Sequence, residues 1–557
     1  MTRKLRSVFE PGTTLWAMRR AQWSVLGITP EDELKPKIAI VNSSSHLASC
    51  FSHLDDIVPV LSQAIRDAGG VPLEIRTAAS SDAITSAGRG GQYILPTRDL
   101  IVDDIEVAVE GAQLDGMVCL ASCDKTAPGQ LMAAGRLNIP TIIVACGYQS
   151  SGTYKGEHID FEDVFHRAGQ VASGMLSIRE LGNMASAAVT GPGVCSGMGT
   201  ANTMHIVCEA LGMAMTNSTP VRANGDKMWS AVRRAGERIV ELVEQDVRPR
   251  DILVPDAFRN AVAAVLAISG SVNVMKHLQA VAAEAECDVD VWRLFEELGP
   301  QVPLLVGVKP NGERLIEEFD DAGGALALLS RLRPLLVDHV ATVTGPTLGE
   351  LLDVAEVLDD DVVRSLDNGL ANHPAISVLR GTLAPDSAVV KRTVADTAPL
   401  SFTGPARVFH SRDSGMAAIK DGRVHPGDVV VLSGLGMRGS PGMAMTSAFI
   451  FALDGAGLSE EVAVVTDGQM SGLVNRGLVV AEVAPEAWGG GPLGLVQDGD
   501  VISIDVNAGT IDLLVDPVAL ETRRAASPTA VPAVGCGWLS TYAREVSALN
   551  AGAVLRG

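Results

Sequence analysis

The amino-acid sequence predicts an α/β protein with an N-terminal three-layer αβα domain, built on a parallel sheet, and a C-terminal β-barrel-like domain. From about residue 36, strand-like apolar runs alternate with helical runs over short links, the pattern of a parallel sheet covered on both faces. From about residue 385, short apolar runs are separated by Gly, Asp and Asn turns, which is typical of a barrel or sandwich. Because 557 residues exceed the size of one compact core, we assign residues 1–375 to the first domain and 376–557 to the second.

Each element of the first domain is predicted from its apolar spacing and its boundary residues. The predicted strands are KIAIVNSS, VPLEIRTAA, DGMVCLAS and IPTIIVACG, and the helices between them are LDDIVPVLSQAIRDAGG, RDLIVDDIEVAVEGAQL and PGQLMAAGRLN. Residues from about 160 to 355 are predicted to be mainly helical. The segments NSSSHLASC and CDKTAPG both follow a strand, at the sheet edge where ligands of such folds bind.

The second domain is defined by short β-rich runs. Its predicted strands lie in HPGDVVVLSG, EEVAVVTDG and GDVISIDVNAGTIDLLVD. The segment DDDVVRSLDNGLANHPAIS is the predicted connection between the two domains.

The composition argues against several classes of partner and location. The net charge is −22 and no extended basic patch is present, so nucleic acid is not an expected partner. No apolar run reaches the length of a membrane-spanning helix, and MTRKLRSVFEPGTTLW lacks the apolar segment of a secretory signal. We therefore predict a cytoplasmic protein without a membrane partner. In that compartment the eight cysteines are expected to be reduced, which favours metal ligands or catalytic groups over disulfides.

Three of the cysteines differ from the others in their surroundings. Cys50, Cys123 and Cys195 lie in loop-like segments rich in small or polar residues, whereas most of the others lie in apolar strand or helix patterns. Three loop thiolates could converge on an iron–sulfur cluster. Since no C-x-x-C motif is present, spacing alone favours three unrelated cysteines. The loop GPGVCSGMGTANT lacks the G-x-G-x-x-G spacing and does not follow a clear strand, so it does not predict dinucleotide binding.

The segment LASCDKTAPGQ places Asp124 and Lys125 directly after a cysteine, and Asp82 lies in another loop that follows a strand. Carboxylate oxygens suit Mg²⁺, although a single loop aspartate is usually a turn residue or a helix cap. A lysine near a cation is unfavourable unless it is neutral or modified to carry an anionic oxygen. Asp467 and Ser471 in VVTDGQMSG have the same ambiguity, since a serine becomes a base only if its pKa is lowered, for example by a nearby metal.

Several longer blocks together resemble the dihydroxy-acid dehydratase / phosphogluconate dehydratase family, which includes sugar-acid dehydratases. These blocks are CDKTAPGQLMAAGRLNIPTI, CSGMGTANTMHIVCEALGMAM, VTGPTLGE, GPARVF, HPGDVVVL, PGMAM, TDGQMSG and APEAWGGGPLGLVQDGDVISID. They occur in the order of the family and extend from about residue 36 to about residue 553.

The resemblance implies an iron–sulfur lyase that removes water from a 2,3-dihydroxy carboxylic acid to give a 2-keto acid. Cys50, Cys123 and Cys195 match the ligands of a [2Fe-2S] cluster, with a [4Fe-4S] cluster as the alternative. Three protein ligands leave one iron open, and that iron acts as a Lewis acid on the departing C3 hydroxyl.

The same resemblance assigns roles to the residues around Cys123. Asp82 and Asp124 match Mg²⁺ ligands, and Lys125 matches a lysine that can be carbamylated and then offers oxygen to Mg²⁺. Ser471 matches the alkoxide base that takes the C2 proton. Mg²⁺ bound to the substrate carboxylate and the C2 hydroxyl would acidify that proton and fix its geometry.

The chain departs from the family pattern in this region. Met445 occupies the position of a glutamate Mg²⁺ ligand in P-G-M-x-E, and a thioether is a poor ligand for a hard cation. Glu482 stands in place of a family histidine. Two interpretations follow: Mg²⁺ is held by fewer protein ligands, with water or Glu482 completing the set, or the substrate or reaction has diverged.

The main prediction is therefore a dehydratase acting on a small-molecule sugar acid or branched-chain dihydroxy acid. Two alternatives are a divergent homologue that catalyses another elimination or an isomerisation in a specialised biosynthetic pathway, and a non-catalytic cluster-binding protein. The loops contain few basic residues, so a phosphorylated substrate is less favoured. The resemblance also implies a homodimer or homotetramer.

Overall fold

The computed structural model describes residues 5–172, 174–394, 398–443, 445–472, 474, 476–526 and 536–555. Its N-terminal strands are β1 (Lys37–Asn42), β2 (Val71–Arg76), β3 (Gly116–Ala121), β4 (Thr141–Ala145), β5 (Gly152–Tyr154) and β6 (Glu157–Ile159). The N-terminal helices are α1 (Thr14–Val25), α2 (Leu54–Asp67), α3 (Asp82–Thr85), α4 (Ile94–Ala112), α5 (Thr126–Leu137), α6 (Phe161–Ala172), α7 (Ile178–Ala188), α8 (Thr200–Ala210), α9 (Asp226–Gln245), α10 (Pro249–Ile252), α11 (Pro255–Ala267), α12 (Asn273–Glu284), α13 (Val291–Leu298), α14 (Ile316–Asp321), α15 (Gly324–Leu332) and α16 (Leu348–Leu352).

The C-terminal part contains the strands that follow β6 in the described residues. They are β7 (Ile376–Leu379), β8 (Ser387–Lys391), β9 (Ser401–Phe409), β10 (Val429–Leu432), β11 (Ala463–Thr466), β12 (Val479–Ala484), β13 (Val501–Asp505) and β14 (Thr510–Leu513). Its helices are α17 (Arg412–Lys420), α18 (Ser447–Gly455), α19 (Pro517–Ala526) and α20 (Trp538–Glu545).

The N-terminal sheet is parallel and has the strand order β2-β1-β3-β4. Helices α2 and α9 pack together on one face, while α4 and α5 pack together on the other. Every residue of β1 and β3 is buried, as expected for strands covered on both faces. The three-layer αβα arrangement predicted from the sequence is confirmed.

Amphipathic spacing explains how the covering helices form. In α2 the buried residues recur at helical spacing (Leu54, Ile57, Leu61, Ala64 and Ile65), and two aspartates lie in the first turn, where they complement the helix dipole. The helix is followed by Gly69, whose φ of +91° is accessible to glycine at little cost.

A buried helix at the centre of the domain supports the sheet edge. All eleven residues of α8 are buried, and α8 packs against α5, α11, α12 and α15. Because α8 begins directly after the loop of Cys195, this packing fixes the end of that loop.

The C-terminal part forms a nearly closed eight-stranded barrel-like sheet of order β14-β13-β9-β10-β11-β12-β8-β7, which confirms the predicted barrel-like architecture. Two backbone hydrogen bonds join the regions of the edge strands β7 and β14 and nearly close the sheet. The Arg380 N–H donates to the Gly509 carbonyl at 2.9 Å, and the Ile511 N–H donates to the Arg380 carbonyl at 3.0 Å. Strands β9 to β12 pair in parallel, and helices α17 and α18 lie between them in the chain.

Among the described residues no helix has both the length and the apolar character needed to cross a membrane. The domain boundary at residues 375 and 376 and the cytoplasmic location stay predictions.

A buried ion pair joins the C-terminal end of the chain to the N-terminal domain. The Arg98 guanidinium donates to Asp99 at 3.1 Å and to the Ala553 carbonyl at 2.6 Å, and Asp99 accepts from the Leu555 N–H at 3.3 Å. Both side chains are almost fully buried, and burial raises the pKa of Asp99 to about 6. A buried charge that loses its partner is strongly destabilising.

We expect Arg98→Leu to lower the free energy of unfolding by about 3–5 kcal/mol, because Asp99 and the Ala553 carbonyl lose their donor in the interior. Urea unfolding followed by circular dichroism measures the change. The control is Arg293→Leu, whose pair with Glu297 is exposed to solvent and is expected to contribute little to stability. Equal effects of the two substitutions would show that the buried pair does not hold the chain end.

Candidate active site

The carboxyl edges of the two sheets border one cavity of about 470 Å³. Six of the residues predicted from the sequence line it: Cys50, Asp82, Cys123, Asp124, Cys195 and Ser471. Lys125 lies directly behind this wall and is 1% exposed. The structure therefore brings together side chains that are far apart in the sequence.

Cys50 and Cys123 are placed by loops that follow adjacent parallel strands, β1 and β3. The Ser122 hydroxyl donates to the Cys50 carbonyl, and the Thr126 hydroxyl donates to the Cys123 carbonyl at 2.9 Å. The first bond links the two loops, and the second fixes the backbone of the Cys123 loop.

The Cys195 loop lies against the same edge. The Asn202 amide donates to the carbonyls of Cys195 and Gly197, each at 2.8 Å, and the Gly193 N–H donates to the Ser49 carbonyl at 3.3 Å. Gly193 has a φ of +117°, and a Cβ there would lie 2.6 Å from the Gln149 nitrogen. This close approach requires glycine.

The thiols influence one another electrostatically. A hydrogen bond between Cys50 and Cys123 lowers the pKa of Cys50 and raises that of Cys123. Burial raises the pKa of Cys195, and the negative charges of Glu162 and Asp124 add to this effect. Three thiols sharing one cavity in this way form a donor set that suits an iron–sulfur cluster.

The acidic residues and the lysine form a second donor set next to the thiols. The Lys125 Nζ lies 3.9 Å from an oxygen of Asp82 and 3.9 Å from an oxygen of Asp124. Within the described part of the chain, Lys125 Nζ and Asp82 Oδ1 are buried without a hydrogen-bond partner. Burial and the charge of Asp124 raise the pKa of Asp82. Unsatisfied buried polar atoms are costly. A bound cation would satisfy the Asp82 oxygen, whereas Lys125 could join the ligand set only if it were modified to carry an anionic oxygen.

Ser471 lines the cavity from the C-terminal part of the chain, in the loop after β11. Its backbone N–H donates to the Ser447 hydroxyl at 2.9 Å, at the start of α18. The serine, the three thiols and the two carboxylates thus line the same cavity.

Of the two residues that depart from the family pattern, Met445 lines the cavity and Glu482 does not. Met445 lines the cavity and packs against Gly91. Glu482 is not among the lining residues; its carboxylate is bonded to Lys276, and the two side chains are 1% and 0% exposed. The geometry therefore does not support Glu482 as a replacement ligand for Mg²⁺.

The cavity also has an apolar wall, which the sequence analysis did not predict. Phe161 and Phe165 on α6 contact each other edge to face at 4.8 Å between ring centroids, and Phe451 lies 6.3 Å from Phe165. All three line the cavity with Met416. The spacing of the phenylalanines by four residues on α6 was an available signal for an apolar face, but it did not indicate what that face covers.

We expect Gly193→Ala to lower the free energy of unfolding by about 1–3 kcal/mol, because the added methyl group would overlap the backbone of Gln149 at a left-handed φ. Gly191→Ala is the matched control, since a Cβ there meets no atom within 4 Å. Urea unfolding of both variants measures the difference. A loss confined to Gly191→Ala would contradict the packing described for the Cys195 loop.

Comparisons with known proteins agree with the resemblance seen in the sequence. Residues 35–351 match the family description "Dihydroxy-acid/6-phosphogluconate dehydratase N-terminal", and residues 361–553 match the corresponding C-terminal description. The dihydroxy-acid dehydratase of Pyrococcus furiosus is 40% identical over 542 residues, which cover 97% of this chain and 98% of that protein. The dihydroxy-acid dehydratase of Acetivibrio thermocellus is 38% identical over 541 residues, 97% of each chain. The chain thus belongs to the dihydroxy-acid/6-phosphogluconate dehydratase family, and it is a lyase of the hydro-lyase type.

Proposed function

We propose that the protein removes water from a 2,3-dihydroxy carboxylic acid to give a 2-keto acid, and that an aliphatic branched-chain acid fits better than a sugar acid. The observation that supports this most directly is the single cavity that combines three thiols, two carboxylates, a serine and an apolar wall. The relatives' printed name, dihydroxy-acid dehydratase, is consistent with this substrate class.

The donor sets indicate which residues would hold the cofactors. Cys50, Cys123 and Cys195 would hold the iron–sulfur cluster, with thiolate as the ligand. Asp82 and Asp124 would hold Mg²⁺ together with Lys125, which is proposed to be carbamylated. When bound, these groups supply Lewis acidity at the C3 hydroxyl and orient the C2 hydroxyl and carboxylate of the substrate.

The chain's own residues provide the proton transfer. Ser471, which lines the cavity, is proposed to act in its alkoxide form and to take the proton from C2 as the hydroxyl leaves from C3. The product is an enol that tautomerises to the 2-keto acid, and the proton taken from C2 passes to the departing hydroxyl, which leaves as water.

The apolar wall supports the choice of substrate. A polyhydroxylated chain placed against Phe161, Phe165 and Phe451 would lose hydrogen bonds to water without replacement, whereas an alkyl branch would gain burial. One basic side chain, Arg412, is also among the lining residues, and its Nε donates to Asp413 at 3.3 Å. A homodimer or homotetramer stays a proposal drawn from the family resemblance.

The cluster assignment predicts a specific loss of iron. Cys50→Ser, Cys123→Ser and Cys195→Ser are each expected to lower bound iron and sulfide several-fold and to remove a brown absorbance that dithionite bleaches, because alkoxide replaces thiolate poorly as a ligand. The control is Cys287→Ser, a half-buried cysteine outside the cavity. Iron and sulfide contents unchanged in all three cavity variants would disprove the ligand assignment.

The substrate assignment predicts a ranking among acids. A panel of branched-chain dihydroxy acids and aldonic acids, assayed for 2-keto acid, is expected to give at least a tenfold higher kcat/KM for the branched-chain compounds, which corresponds to about 1.4 kcal/mol.

Two serine variants serve as controls for this assay. Ser471→Ala is expected to lower kcat by at least about 10²-fold, as for loss of a general base, while Ser186→Ala, an exposed serine of α7, is expected to leave kcat unchanged. A higher kcat/KM for aldonic acids would reject the branched-chain preference. Absence of 2-keto acid from every compound would favour the alternative reaction.

A further inference from the structure

The carbonyl of Gly472, the residue after Ser471, is held by a lysine from another strand. The Lys391 Nζ, at the end of β8, donates to the Gly472 carbonyl at 2.5 Å. Lys391 and Met470 also line a small space behind the Ser471 loop, on the side away from the main cavity. The lysine therefore contacts the backbone that carries the serine and does not line the substrate space.

The peptide group before Ser471 is held from a different direction. The Asn273 amide, at the start of α12, donates to the Met470 carbonyl at 3.1 Å and to the Thr200 hydroxyl at 3.1 Å. Met470 and Gly472 are the two neighbours of Ser471, so the carbonyls on both sides of the serine accept bonds from side chains of distant elements.

The Asn273 side chain is itself hydrogen-bonded to a buried ion pair. The Lys276 Nζ donates to Asn273 Oδ1 and to the Glu482 carboxylate on β12. Lys276 and Glu482 are 0% and 1% exposed. A well-packed apolar pair of similar volume would often stabilise the fold as well as a buried ion pair or better. The stability of the fold therefore does not require the Lys276–Glu482 pair. The pair does hold the Asn273 amide in one orientation.

We propose that Lys391 and Asn273, the latter oriented by Lys276 and Glu482, are positioning residues that fix the carbonyls of the two neighbours of Ser471, Met470 and Gly472, and so aim the serine hydroxyl into the cavity. This inference rests on the proposed role of Ser471 as the base. A base displaced by about 1 Å costs on the order of 10²-fold in rate, so two anchored carbonyls have a direct catalytic consequence.

The chemistry of the two lysines suits this role. Burial lowers the pKa of Lys391 to about 7 and that of Lys276 to about 8. An amine donates a hydrogen bond to a carbonyl in both its charged and its neutral form, so the anchor of the Gly472 carbonyl persists on either side of neutral pH.

The first test removes the Lys391 anchor. Lys391→Met keeps most of the side-chain length but removes the donor to Gly472, and we expect kcat to fall about 10–100-fold with KM changed less than about twofold. Lys391→Arg, which keeps an N–H donor, is expected to recover part of kcat. The matched control is Lys37→Met, a buried lysine that also donates to backbone carbonyls, those of Glu33 and Lys35, but lies outside the cavity wall.

The second test uses an isosteric change, so that loss of fold does not obscure the result. Asn273→Asp keeps the shape and replaces the amide donor to Met470 with an acceptor, and it is expected to lower kcat by a similar factor. Iron content and the thermal unfolding midpoint are measured for every variant. The proposal is overturned if Lys391→Met and Asn273→Asp both keep kcat within twofold of Lys37→Met.

The same assays separate this proposal from the proposed function. If Ser471→Ala keeps its rate, the assignment of the base is wrong. If Ser471→Ala is inactive while Lys391→Met and Asn273→Asp behave like Lys37→Met, only the positioning role is wrong. A fall in kcat with unchanged KM and unchanged iron content supports positioning, since a cofactor defect would lower the iron content.

Discussion

Parallel strand pairing is the constraint on which the candidate site depends. Because β1 pairs in parallel with both β2 and β3, all three strands end at one edge, and the chain must leave the sheet there. The loops that follow carry Cys50, Asp82 and Cys123. The C-terminal barrel repeats the arrangement with β11, whose following loop carries Ser471. Two sheets with their carboxyl edges directed at one cavity therefore assemble a site from residues more than 400 positions apart.

Polar groups held without partners are the second feature of the site. The Lys125 amine lies close to two carboxylates but, within the described chain, has no hydrogen-bond partner of its own. Such an arrangement costs stability unless a ligand completes it. The backbone around it is rigid, since the loop hydrogen bonds and the fully buried helix α8 leave it little freedom. The fold thus holds buried polar atoms in fixed positions where the described side chains leave them without hydrogen-bond partners.

Part of the cavity lining has a different character. Phenylalanines from α6 and α18 line the cavity together with Met416 and Met445, so a share of its surface is apolar. One cavity thus combines polar side chains with apolar surface that can bury an apolar part of a ligand.

The sequence by itself determined the αβα and barrel-like architecture, because strand and helix periods are local properties that apolar spacing reveals. It also indicated Cys50, Cys123 and Ser471 as loop residues beyond strands, which the structure places on one cavity. Only the tertiary structure decided that Glu482 binds Lys276 and lies away from the cavity wall, and that three phenylalanines form its apolar side. These contacts join strands and helices distant in the chain, and the pairing of distant elements depends on packing that no local pattern encodes.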